Sequence, residues 1–154
     1  MKLILKGKYP FFASLDLDFP ISIFGKGKVC IYSEEDFPVL LINSPNIWIN
    51  NLTLRQKECE NVSAVNVESG YVFLENCTIQ SNYFCISVNS QSECDVLQCS
   101  LSHSYGGIKI KPNGYMNVEK SLISKNQEGI LVEEDGFLRV FNTFVCLYFN
   151  FFIL

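Results

Sequence analysis

Gly107–Ser121 reads "GIKIKPNGYMNVEKS" and Gly129–Thr143 reads "GILVEEDGFLRVFNT". The two stretches share few residues, yet glycine, turn and apolar residue fall at the same places, 22 positions apart. Such self-similarity is sought first, because a repeat dictates the whole architecture. Leu74, Val96, Val118 and Val140 step by the same 22, and so do Ile79, Leu101, Ile123 and Val145. A third series alternates apolar with other residues: Ile86 and Val88, Ile108 and Ile110, Ile130 and Val132, Phe152 and Leu154. Alternation buries one side of a strand, because successive side chains point to opposite faces. Each repeat therefore holds three short strands separated by turns.

The turn chemistry agrees. Between the first and second strands lie "ESG" from Glu68, "KPNG" from Lys111 and "EEDG" from Glu133, all tolerant of left-handed backbone angles. Between the second and third strands, Asn51, Asn76, Gln98, Lys120 and Asn142 hold equivalent places; after the third come Asn82, Ser104, Asn126 and Tyr148. Asparagine at such bends adopts the left-handed region and bonds to nearby backbone. Going backwards, Leu40, Ile42, Ile47, Ile49, Leu52 and Leu54 match Val65, Val67, Val72, Leu74, Cys77 and Ile79 at an interval of 25. Leu15, Leu17, Ile21, Ile23, Val29 and Ile31 form a looser turn with "GKG" from Gly25 at its bend, and Leu3 and Leu5 supply a strand from one turn earlier.

Three strands per turn, short polar bends and no helical period predict an all-β fold: a single-stranded parallel β-helix of about six rungs with about 22 residues per rung. One rung cannot bury its own apolar face; its neighbours do so, and the repeat must recur. The 154 residues fit a single domain. Within it, 1–39 read as irregular N-terminal rungs, 40–145 as regular rungs, and 146–154 as an apolar strand and association segment.

Composition narrows the partners. A net charge of -4, a pI near 5.0 and basic residues scattered without a run argue against nucleic acid. Lys6, Gly7 and Lys8 interrupt the first apolar run before a signal peptide or membrane span is complete. The expected location is therefore the cytoplasm of the producing cell, or a virion. The tail "FVCLYFNFFIL" is too short to span a bilayer and reads as a last strand or partner surface, not a membrane anchor. Seven cysteines, an odd number without a CxxC pair, suggest reduced buried thiols and no zinc site, and no other metal or cofactor is implied. Phe, Tyr, Met, Ile, Asn and Lys together number 60, against 18 for Gly, Ala, Arg and Pro. That skew follows from an A/T-rich coding sequence, a viral genome among the candidates.

The recurring pattern of Gly-Ile, then Gly, Val, Ser or Thr, Ile and Asn resembles the right-handed β-helix repeats of the pectin-lyase-like superfamily. The opening "LKGKYPFFASLDLDFPISIFGKGKVCI" (Leu5–Ile31) and "PVLLINSPNIWINNLTLRQ" (Pro38–Gln56) are similar to the early rungs of its non-catalytic members. The likeness covers nearly the whole chain. It implies the fold; function is left open, since the same scaffold serves lyases, hydrolases, fibres and adaptors.

Pectinolytic members carry clustered aspartates with His or Arg on one exposed sheet, and this sequence departs from that. The outward positions of the first strand are Leu41, Asn66, Ser87, Lys109, Leu131 and Ile153, without a carboxylate. The lone His103 has no Ser or Cys partner identifiable by spacing, and the acidic clusters "SEED" and "VEEDG" fall at bends. Glycoside hydrolysis needs two carboxylates about 5–10 Å apart, so no catalytic residue is expected.

Non-catalytic surfaces carry more information. Trp48 and Phe73 are outward aromatics on neighbouring rungs, fit to stack on a sugar or on a partner's side chain. Leu122, Leu131, Phe144, Leu147, Phe149, Phe151 and Ile153 make the last rungs apolar on the outside, which predicts a dimer or trimer through them. The leading functional expectation is a self-associating structural or interaction module. A carbohydrate-binding or degenerate polysaccharide-active β-helix and a protein-binding adaptor are the alternatives.

Overall fold

The alternating segments form sixteen strands and no helix in the computed structural model, which describes residues 1–57 and 59–147, the side chain of Leu147 excepted. Strands β1 (Lys2–Phe11), β2 (Leu15–Leu17), β3 (Ile21–Ser33), β4 (Leu40–Asn50), β5 (Thr53–Gln56), β6 (Val65–Glu75) and β7 (Thr78–Gln80) build the first half. The second half repeats more evenly: β8 (Phe84–Val88), β9 (Glu93–Leu97), β10 (Ser100–Ser102), β11 (Gly106–Ile110), β12 (Tyr115–Glu119) and β13 (Leu122–Asn126). The last described turn holds β14 (Glu128–Val132), β15 (Phe137–Phe141) and β16 (Phe144–Leu147).

Every strand pair is parallel, and the pairs fall into three stacks. The first face stacks β2, β4, β6, β8, β11 and β14. The second stacks β1, β3, β4, β6, β9, β12 and β15, because the long strands bend around a corner and serve two faces. The third stacks β1, β3, β5, β7, β10, β13 and β16. The chain is thus a parallel β-solenoid of about seven turns, close to the six rungs expected. Val96, Val118 and Val140 are register partners, as their spacing requires.

Corners are set by backbone conformation. Between the second and third faces Asn51, Asn76, Gln98, Lys120 and Asn142 have φ of 57°, 53°, 53°, 48° and 48°, the left-handed angle expected of that position. Between the first and second faces Gly70, Gln91, Asn113 and Asp135 do the same work. The third corner differs from expectation: its left-handed residues are His103 and Lys125, one place earlier than Ser104 and Asn126. Ser104 and Asn126 instead turn inward and are buried. There the Asn126 carbonyl oxygen accepts from the Ser104 N–H at 3.1 Å, and its amide donates to the Leu101 carbonyl at 3.1 Å. Asn82 stays exposed and donates to the Lys57 carbonyl, and Tyr148 lies outside the described residues.

The interior is one continuous column of aliphatic side chains, with Ile23, Ile49, Leu74, Val96 and Val118 stacked along the second face and Ile31, Leu54, Ile79, Leu101 and Ile123 along the third. Full burial of one such side chain contributes about 1.5–3 kcal/mol. A polar thread runs beside them. The Cys77 N–H donates to Cys99 Sγ at 3.3 Å, the Cys99 N–H to Ser121 Oγ at 3.1 Å, and the Ser121 N–H to Thr143 Oγ1 at 3.3 Å. Each thiol or hydroxyl then donates to the carbonyl two residues back, of Glu75, Leu97, Glu119 and Phe141 in turn. Corner N–H groups that the sheets leave unpaired are satisfied in this way. All seven cysteines are free thiols, with Cys77 and Cys99 stacked and unbonded. Size is also matched between turns: the buried Phe84 ring fills the space beside its register partner Gly106, where a Cβ would come within 2.1 Å of the ring.

Candidate functional site

The first face would carry the chemistry if the molecule were built like a pectinolytic enzyme. Its outward column runs Asp16, Leu41, Asn66, Ser87, Lys109 and Leu131 in register, so one carboxylate, on β2, adds to the residues expected there. Asp16 stands alone in that column, four turns from Lys109. Lys109 bonds to Tyr83 Oη at 3.4 Å and pairs with Glu133 at 3.3 Å. Burial lowers its pKa, but these two partners outweigh burial and the net shift is upward.

A cleft of about 860 Å³ follows the third corner, lined in part by Tyr83, His103, Tyr105, Lys125, Glu128 and Leu131. His103, exposed at the bend, has a hydroxyl neighbour: its Nδ1 lies 3.1 Å from Ser102 Oγ and 3.4 Å from the Gln80 amide. Adjacency in the chain, which no long-range spacing rule would register, creates that contact. Ser102 is buried, and no carboxylate bonds to the His103 ring among the described residues. Tyr105 donates to Glu128 at 2.7 Å, a bond that raises the phenol's pKa. Tyr83 and Tyr105 stack with centroids 6.3 Å apart and planes 7° apart. Both aromatics stand 22 residues apart, a signal present in the sequence but absent from the expected site residues.

The second face holds the aromatic pair anticipated from sequence and enlarges it. Trp48 is register partner to Phe73, their rings 6.1 Å apart and inclined at 25°, and Phe24 on β3 meets the other side of the indole edge-on at 4.9 Å. Lys2 lies 4.7 Å over the Phe24 ring, so the first strand covers one end of the column. Trp48 itself is 39% exposed. Its indole N–H donates to Glu75 at 3.2 Å, and the Asn50 amide donates to the same carboxylate oxygen at 2.6 Å. Aromatic faces in this column are turned largely toward each other, so it offers a partner ring edges more than open faces. Above Phe73 the column continues as Asp95, Asn117 and Arg139. Asp95 accepts from Tyr71 Oη at 2.9 Å and from the Asn117 amide at 2.8 Å. Burial, then the bond to Asp95, pushes the Tyr71 phenol above its usual pKa.

The residues expected to form an oligomer interface separate onto two faces. Leu122 and Phe144 are register partners on the outside of the third face, and Phe144 is 65% exposed. Leu131 is only half-buried on the first face and lines the corner cleft. The Leu147 side chain, Phe149, Phe151 and Ile153 lie outside the described residues. Phe137 and Phe141 on the second face add to the apolar exterior of the last turn, an addition that comes from β15.

Lysines that look scattered along the sequence are gathered by the fold. Lys6 and Lys8 flank Gly7, Lys26 and Lys28 flank Gly27, and both glycines sit at the second corner of the first two turns with φ of 95° and 79°. Among the described residues no group of His, Cys, Asp or Glu is placed to hold a metal ion, and no helix is long and apolar enough to cross a membrane.

Comparison with known families agrees with the solenoid geometry. The family model described as a right-handed β-helix region matches residues 23–145, four-fifths of the chain, and the protein belongs to that family. No curated protein and no solved structure gives a significant match.

Proposed function

We propose that this β-helix is a non-catalytic interaction module that presents the outer side of its second face to a protein partner, as a rigid component of a larger complex or particle. The observation that carries this reading is the Phe24–Trp48–Phe73 column, partly exposed on the second face and held by the bond from Trp48 to Glu75. A preordered aromatic cluster loses little side-chain entropy on docking, and Trp and Phe dominate the energetics of protein interfaces. Self-association through the exposed, in-register Leu122 and Phe144 belongs to the same reading, with a dimer or trimer as its product.

Glycan binding is the second reading, favoured by the amide, carboxylate and guanidinium groups that extend the column through Asp95, Asn117 and Arg139. Ring faces occupied by one another weigh against it, because pyranose recognition uses an open face.

Partner capture from the producing cells, with wild-type protein and Trp48→Ala side by side, tests the proposal. A protein retained by the wild type and lost from the variant supports the first reading, and glycan-array binding lost in Trp48→Ala would replace it with the second. Equal behaviour of the two proteins in both assays would remove the second face from consideration. In light scattering, Leu122→Ser with Phe144→Ser is expected to convert an oligomer to a monomer; a wild type that is monomeric at micromolar concentration would refute self-association.

A further inference from the structure

Each turn of the solenoid passes its second corner through one left-handed residue, and in the regular turns a single Asn, Gln or Lys suffices. The first two turns depart from this. On β1 the sequence Lys6-Gly7-Lys8 crosses the corner, and on β3 it is Lys26-Gly27-Lys28. Register runs from Leu5 opposite Gly25 to Gly7 opposite Val29, so Lys6 alone on β1 stands against Lys26, Gly27 and Lys28 on β3. Two surplus residues must bulge outward, as a bulge forces unpaired chain out of the ladder. A Cβ at Gly7 or Gly27 would meet nothing within 4 Å, so both glycines face open space, while the Tyr9 hydroxyl braces Lys6 by accepting from its N–H at 3.2 Å and donating to its carbonyl at 2.8 Å.

Beneath the ledge is a recess of about 430 Å³, walled by Lys8 and Lys28 and floored by Asn51, Thr53, Asn76 and Thr78. The floor is regular because Lys8, Cys30, Thr53 and Thr78 are successive register partners on the outside of the third face. Among the described residues the hydroxyls of Thr53 and Thr78 have no hydrogen-bond partner, and Lys6, Lys8, Lys26 and Lys28 have no ion-pair partner. Lys6, Lys8, Lys26 and Lys28, all exposed, stand at one corner of two adjacent turns, in a protein whose net charge is -4. Lysines without ion-pair partners favour an anion, and lysine charge beside hydroxyl donors suits the oxygens of a phosphate or sulfate group.

We propose that the double Lys-Gly-Lys ledge and the Asn–Thr shelf below it form a binding site for a phosphate- or sulfate-bearing ligand. Lys8 and Lys28 supply the charge, and Thr53 and Thr78 supply directional donors. The site lies around the corner from the Trp48 column, so it stands or falls independently of the protein-docking reading.

Isothermal titration of the intact protein with inorganic tripolyphosphate, and sedimentation with phosphatidylcholine vesicles doped with a phosphatidylinositol monophosphate, distinguish a soluble ligand from a membrane headgroup. With either probe, Lys8→Gln combined with Lys28→Gln is expected to weaken binding about tenfold or more, the scale of lost hydrogen bonds to a charged group. Lys111→Gln with Lys125→Gln removes the same charge elsewhere and should change affinity less than about twofold. Thr53→Val with Thr78→Val keeps charge and shape and should weaken binding about three- to tenfold. Equal losses in the two lysine pairs, unchanged affinity in the threonine pair, or no saturable binding of either probe would overturn the site.

Discussion

Cys99 shows how much one inward position is asked to do. Its sulfur accepts from the Cys77 N–H, its thiol donates to Leu97, and its neighbours in the same thread are Ser121 and Thr143. Contact with Cys77 and burial hold this thiol well above its usual pKa, so it stays protonated and able to donate. Cys99→Ser should therefore cost less than about 1 kcal/mol, while Cys99→Ala leaves a buried N–H without an acceptor and should cost about 1–3 kcal/mol, both measured by urea unfolding. Gly106→Ala drives a methyl into the Phe84 ring and is expected to destabilise by about 1–3 kcal/mol in the same measurement. Cys77, Cys99, Ser121 and Thr143 stand 22 residues apart, so their equivalence is written in the period itself. Ser104 and Asn126 were not legible as core residues: a polar side chain beside a bend reads as surface, and only the inter-turn bonds explain their burial.

The elements follow from simple demands. A strand one turn wide needs apolar residues on its inner side and little else, so β9, β12 and β15 could be written down from Val96, Val118 and Val140. Corners are costlier. Lys120 sits at φ 48° where Asn51, Asn76 and Asn142 hold the same place, and a non-Gly, non-Asn residue there carries strain. Lys120→Asn should raise stability by about 0.5–1 kcal/mol, read as a higher urea midpoint with unchanged slope. The lysine ledge escaped the sequence reading because its two copies lie 20 residues apart, not 22, and the bulge that aligns them is invisible to a fixed period. The aromatic column was half legible: Trp48 and Phe73 share a spacing of 25, but Phe24 joins them only through the pairing of β3 with β4.

At the scale of the molecule, buried thiols contribute to the alkaline response. Burial pushes Cys85 from 9.0 up to about 12 and raises Cys94 as well. Unfolded chains lose these protons near pH 9 while the folded protein keeps them, so the unfolded state binds fewer protons and stability falls as pH rises. The contribution is intact below about pH 9 and is lost toward about pH 12, at close to 1.4 kcal/mol per pH unit for each thiol once that window is entered. Thermal melts between pH 8 and pH 11 should show that decline, and replacing Cys85 and Cys94 by Ala should flatten it, though from a lower starting point.

Because successive turns touch only their immediate neighbours, chain length and fold are nearly separable. Copying residues 107–128 and inserting the copy after 128 would lengthen the rod by one storey of about 4.8 Å and leave every side chain above it correctly oriented. One extra residue inside β12 would instead send its following side chains to the wrong surface. A gene for such a protein can grow or shrink by whole multiples of 66 bases (3 × 22) with little penalty, whereas smaller changes must be hidden in the corners.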